Sequence, residues 1–156
     1  MTAEANKADR EIVFKRAFDA PRELMWTAWT KPDRIARWWG PHGFTTSIYE
    51  MDVRPCGEWR FTMHGPDGVD YRNRVVYIEI AKPDLLVYSH GGEDGDEDEP
   101  APFEVTVEFV ERDGKTEMTM RMLFATAAER DLTVEFGAVG LVEETLTRLA
   151  DHLARG

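Results

Sequence analysis

Residues 103–124 read FEVTVEFVERDGKTEMTMRMLF, and this stretch decides the fold class. Phe103, Val105, Val107 and Phe109 alternate with Glu104, Thr106 and Glu108. A period of two puts the apolar set on one face of a strand and the polar set on the other. Asp113-Gly114 follows, a pair that tolerates the left-handed backbone of a tight hairpin. Met118, Met120, Met122 and Phe124 then oppose Glu117, Thr119 and Arg121. The stretch is an antiparallel hairpin with one face to bury.

Working back towards the N-terminus, the same period recurs from Phe44 onward. Trp59, Phe61 and Met63 share a face against Glu58, Arg60, Thr62 and His64, and Gly65-Pro66-Asp67-Gly68 turns the chain. Residues 71–80 and 85–90 read as strands divided by Lys82-Pro83-Asp84, and residues 11–18 as a first strand. Between that strand and the rest, Asp19-Ala20-Pro21 and Thr30-Lys31-Pro32-Asp33 each open a short helix. The second runs to about Trp38, and Gly40-Pro41 ends it.

Towards the C-terminus the period becomes helical. Thr126-Ala127-Ala128-Glu129 has the spacing of a capping box. Val139, Val142, Leu146, Leu149 and Leu153 recur at intervals of three and four, with Leu132 and Phe136 extending the stripe. Gly137 and Gly140 weaken this helix by roughly 1 kcal/mol each relative to Ala and mark a bend or a close approach. Antiparallel sheets bury one face, and the long helix is the one element large enough to cover it. The expected fold is α+β: a curved antiparallel sheet around a C-terminal helix, with residues 1–10 a flexible N-terminus and residues 11–156 a single domain.

Composition excludes several classes of function. The 156 residues carry 19 Lys plus Arg against 30 Asp plus Glu, a formal charge of −11. That balance argues against nucleic acid, since no cationic excess exists to displace counterions. No run reaches the ~20 apolar residues of a membrane span, and the N-terminus lacks the apolar core of a signal peptide, so a cytoplasmic location is expected. The single cysteine, Cys56, rules out an internal disulfide and reads as an unreactive thiol in a turn.

The ordered motifs carry a resemblance. Residues 18–24 (FDAPREL), 28–30 (AWT) and 36–41 (ARWWGP), then 51–55 (MDVRP), 57–61 (GEWRF) and 63–68 (MHGPDG), resemble the SRPBCC superfamily. Within it they are similar to the family related to the activator of heat-shock protein 90 ATPase. The likeness spans about residues 10–154 and implies the helix-grip fold of START domains and the birch-pollen allergen. It further implies an apolar cavity between sheet and C-terminal helix, and links to chaperones and stress response. Two features depart from the pattern. Leu141-Val142 stand where many relatives carry Gly-Trp, and six acids crowd into residues 93–99.

The inward stripe is rich in aromatics and methionine, which suits either an ordinary core or a pocket that repacks around ligands. The candidate lining residues are Trp39, Trp59, Phe61, Met63, Tyr77, Tyr88, Phe103, Val105, Met118, Met120, Phe136 and Val139. Trp38 and Trp39 put two rings beside a chain break, and Tyr71, Tyr77 and Tyr88 offer hydroxyls whose facing the strand parity leaves open. His42, His64, His90 and His152 are scattered without metal-ligand spacing. Asp94, Asp96 and Asp98 begin like a calcium loop, but Glu99 and Val105 break it. Ser47 and Ser89 lie outside any G-x-S-x-G elbow. Glu50, Asp52, Glu58, Arg60 and His64 are ambiguous in facing, so no catalytic residue, metal or cofactor is assigned.

The expected function is non-catalytic binding of a small apolar molecule. A chaperone-associated interaction module and a small cyclase or dehydratase using the same cavity are the alternatives. A homodimer is expected on general base rates alone.

Overall fold

The computed structural model describes residues 9–92 and 102–155. The proposed N-terminal tail, save Asp9 and Arg10, and the acidic run with its calcium-like spacing lie outside the described residues. Seven strands, β1 (Glu11–Phe18), β2 (Thr45–Met51), β3 (Glu58–His64), β4 (Asp70–Ala81), β5 (Leu85–Gly92), β6 (Phe103–Arg112) and β7 (Lys115–Leu123), form one antiparallel sheet. Their order is β1-β7-β6-β5-β4-β3-β2, so every neighbour but β1 is a sequence neighbour. Helices α1 (Arg22–Thr30), α2 (Pro32–Ile35), α3 (Ala127–Glu135) and α4 (Ala138–Ala154) complete the α+β helix-grip architecture.

Local chemistry explains the turns. Arg112 pairs with Lys115 across Asp113 and Gly114, whose φ values of 53° and 78° are the left-handed pair a two-residue hairpin demands. Gly57 serves a different need. A Cβ there would stand 2.0 Å from the Asp52 carbonyl oxygen, so only glycine fits where β3 begins. Thr126 caps α3 by accepting a hydrogen bond from the Glu129 amide at 3.1 Å.

Two expectations are corrected, and a facing left open is resolved. The C-terminal helix is not continuous: Gly137, at φ 88°, breaks it into α3 and α4. Leu132 and Phe136 therefore leave the buried stripe and stand 63% and 90% exposed. Regular α2 ends at Ile35, with turns continuing to Trp39, whose amide bonds the Ile35 carbonyl at 3.0 Å. The open strand parity resolves through a bulge: Ile78 is skipped between Tyr77 and Glu79. Val75 and Tyr77 point inward before the bulge, Ile78 at the bulge is exposed, and Ile80 packs against the core beyond it.

The core is aromatic at one end. Trp29 packs edge-on against Trp38 (5.0 Å), Trp39 (5.8 Å) and Phe109 (6.1 Å), and Trp39 against Trp59 (4.8 Å). Such geometry sets positive ring edges on negative faces. Trp38 Nε1 donates to the Ala28 carbonyl at 3.0 Å, tying the turn after α2 to α1. Leu146, Leu149 and Leu153 of α4 close over the sheet.

Leu149→Ala, at a fully buried site, is expected to cost 2–5 kcal/mol in urea unfolding. Phe136→Ala should stay within about 0.5 kcal/mol of the parent, because its ring buries almost nothing. Equal losses in both would restore the single continuous stripe.

Candidate functional site

The sheet and α4 do not close completely. A cavity of about 230 Å³ remains, walled by Trp38, Trp39, Gly40 and Pro41 on one side and by Met63, Tyr88, His90, Phe103, Val105, Met120 and Met122 from the sheet. From α4 come Ala138, Leu141, Val142, Thr145 and Leu146. Their spacing of i, i+3, i+4, i+7 and i+8 is one helical face. An adjoining groove of about 530 Å³ shares Phe103, Met122 and Ala138 with the cavity and runs beneath α3 along Leu132 and Phe136.

Of the twelve candidate lining residues, Trp39, Met63, Tyr88, Phe103, Val105 and Met120 reach the cavity wall. Trp59, Phe61, Tyr77 and Met118 do not: they point inward but are sealed within the core. Phe136 lines only the groove, because the Gly137 break turns α3 away. Val139 packs against the core, one helical position off the wall set by Ala138 and Val142. The twelve candidates omit His90, Ala138, Leu141 and Thr145 and also Trp38, Met122, Val142 and Leu146, although the sequence reading had put Met122, Val142 and Leu146 on apolar faces. The 138–141–142–145–146 spacing was the available signal, and it shares Val142 and Leu146 with the stripe read from the sequence.

His90 is the polar feature of this wall. Its Nε2 lies 3.0 Å from Asn73 Oδ1, and the Asn73 amide nitrogen donates to the Tyr71 carbonyl at 3.0 Å. That second bond fixes the amide's orientation, so Nε2 carries the proton and Nδ1 is left as an acceptor. Rings of Phe103 (5.1 Å), Phe61 (5.9 Å) and Trp39 (6.3 Å) surround the imidazole. Burial among them pushes the His90 pKa down from 6.5 to about 4. Burial also raises the phenols of Tyr77 and Tyr88, so both hydroxyls remain neutral. Chemically, the site offers apolar area, a neutral imidazole acceptor, the hydroxyls of Tyr88 and Thr145, and no fixed charge among the described residues that line it.

A second constellation sits on the opposite face of the sheet. Ser47 Oγ lies 2.8 Å from His64 Nε2, and His64 Nδ1 lies 2.8 Å from Asp70 Oδ1. The connectivity is that of a nucleophile–base–orienter relay. Its setting is not: Ser47 is exposed, and the backbone N–H groups of β2 and β3 lie within the sheet plane rather than above it, so no oxyanion pocket is formed. No group of three or more His, Cys, Asp or Glu among the described residues is placed to hold a metal ion. No helix among them is long and apolar enough to cross a membrane.

A depressed His90 pKa makes stability pH-dependent. The unfolded chain binds this proton near pH 6.5, the folded chain only near pH 4. Stability is therefore full above pH 6.5 and falls as acid is added, by about 3 kcal/mol from this group at pH 4. Urea midpoints of the parent and His90→Gln should converge as pH drops from 7 to 4.5. Parallel curves would place the acid sensitivity elsewhere.

Comparison with curated proteins finds no match. Among solved structures, a protein from Arthrobacter aurescens superposes with a TM-score of 0.89 at 24% identity, covering 96% of this chain and 88% of that one. A protein from Nitrosomonas europaea gives 0.85 at 22% identity, covering 95% and 96%, and one from Mycobacterium smegmatis gives 0.85 at 21%, covering 96% and 94%. These likenesses bear on the fold. The family model described as Activator of Hsp90 ATPase homolog 1-like protein matches residues 19–154, and the chain belongs to that family.

Proposed function

We propose that the chain binds a small, neutral, largely apolar molecule carrying one hydrogen-bond donor, in the cavity between sheet and α4. One observation carries this reading. A core otherwise packed with tryptophan leaves a void of about 230 Å³ whose wall holds a neutral imidazole acceptor. An apolar cavity of ~150 Å³ admits benzene, so this space suits a molecule of one or two rings. Burial would supply about 25 cal/mol per Å² of apolar area before ordering costs, and a donor to His90 Nδ1 would set orientation.

The test is thermal unfolding against a panel of phenols, naphthols, indoles and short fatty alcohols. A ligand at 100 times its Kd stabilises by about 2.7 kcal/mol, which for this chain length is a rise of roughly 5–11 °C. Val142→Trp fills the cavity and should abolish that shift. His90→Leu should weaken a hydroxylated ligand about fivefold to tenfold and leave its non-hydroxylated analogue unchanged. A panel without any saturable shift overturns the reading.

An interaction role like that in the family's description is favoured by one observation, the bare Leu132 and Phe136 on α3. Under that reading Phe136→Asp would abolish stimulation of an Hsp90 ATPase, while Val142→Trp would leave it intact.

A further inference from the structure

On the far side of the 39–41 loop from the cavity lies a cleft of about 610 Å³, formed by the turn after α2, residues 42–45 and the C-terminal end of α4. Its composition reverses that of the molecule. In a chain of formal charge −11, the cleft gathers the guanidinium groups of Arg34, Arg37, Arg148 and Arg155 with the imidazoles of His42 and His152. Asp151 is the single carboxylate among the described residues that line it.

The arginines do different work. Arg148 is committed to the fold: Nη2 donates to the Arg37 carbonyl at 3.0 Å, and Nη1 reaches the carbonyls of Gly40 (2.8 Å), Pro41 (3.2 Å) and Trp39 (3.4 Å). These acceptors are neutral, so the positive charge of Arg148 persists in the cleft. The guanidinium groups of Arg37 and Arg155 have no hydrogen-bond or ion-pair partner among the described residues. Guanidinium groups lining one cleft repel one another, and an oxyanion accepting their paired N–H groups relieves that repulsion.

We propose that this cleft is a binding site for the dianionic phosphate of a small phosphomonoester, with Arg37 and Arg155 as its direct ligands and Arg148 supplying field. The volume exceeds what inorganic phosphate fills and leaves room for an organic body. His152 reports the field independently. Its pKa is lowered, first by burial and then by Arg34, Arg37 and Arg155. The groups facing it from α2 and the following turn are Arg34 and Arg37, and its own helix end adds Arg148, Asp151 and Arg155.

The probes are inorganic phosphate and glycerol 3-phosphate, titrated at constant ionic strength against sodium chloride while the His152 ring is followed by NMR. Bound dianion should raise the His152 pKa by about one unit, saturably, and glycerol 3-phosphate should bind at least as tightly as phosphate. Arg37→Gln and Arg155→Gln should each weaken binding tenfold or more, with unfolding midpoints held near the parent's. Val142→Trp should leave phosphate binding unchanged. A His152 response that chloride reproduces, or that survives both arginine substitutions, overturns the site.

Discussion

The guanidinium of Arg148 holding the carbonyls of Arg37, Trp39, Gly40 and Pro41 is the contact on which the rest of this structure depends. A chain that leaves a short helix at Ile35 and turns at Gly40 presents carbonyls with no helical partner. Without Arg148 the carbonyls of Arg37 and Gly40 would be left unpaired at the cost of their desolvation, while those of Trp39 and Pro41 keep the Thr46 hydroxyl and the Phe44 amide. Arg148 satisfies several at once from the helix that covers the sheet. The same contact docks α4 and fixes Trp38 and Trp39 as one wall of the cavity. Gly40 permits it, since at φ 101° a side chain would also press Met63 and Phe44 at 3.1 Å.

With that wall fixed, the cavity follows from side-chain size. Trp29, Trp38, Trp39, Trp59, Phe61 and Phe109 fill the space beneath α1 by edge-to-face contact. Beyond them the sheet presents Met63, Met120 and Met122, and α4 answers with Ala138, Val142 and Thr145. None of these is bulky enough to span the gap that the tryptophans hold open. The departure read in the sequence at Leu141-Val142 falls on this wall, and it sets how much of the gap remains.

How far the sequence disclosed this depended on the range of the interaction. The alternation in residues 103–124 shows a strand pair directly, because facing is set residue by residue. The Asp113-Gly114 turn and the Thr126 cap are equally local and were equally legible. Facing along β4 was not, because the bulge at Ile78 inverts parity midway and no neighbouring residue announces it. Leu132 and Phe136 misled for a related reason: their helical spacing is real, but the left-handed Gly137 redirects the axis. The Asn73–His90 pair and the arginine cleft join elements far apart in sequence, so only the register of β4 on β5 and the docking of α4 bring them together.

The cavity and the cleft lie back to back across residues 39–41, and their electrostatics divide the ligands each can accept. The cavity holds His90 neutral, with no cation among its described walls, so a carboxylate or phosphate entering it would leave its water unreplaced. The cleft has the opposite character, with several guanidinium groups on its wall and a far larger polar share of its lining. Under the two readings proposed above the sites take different molecules, and Arg148 is the group they share: its carbonyl bonds hold the cavity wall while its charge contributes to the cleft.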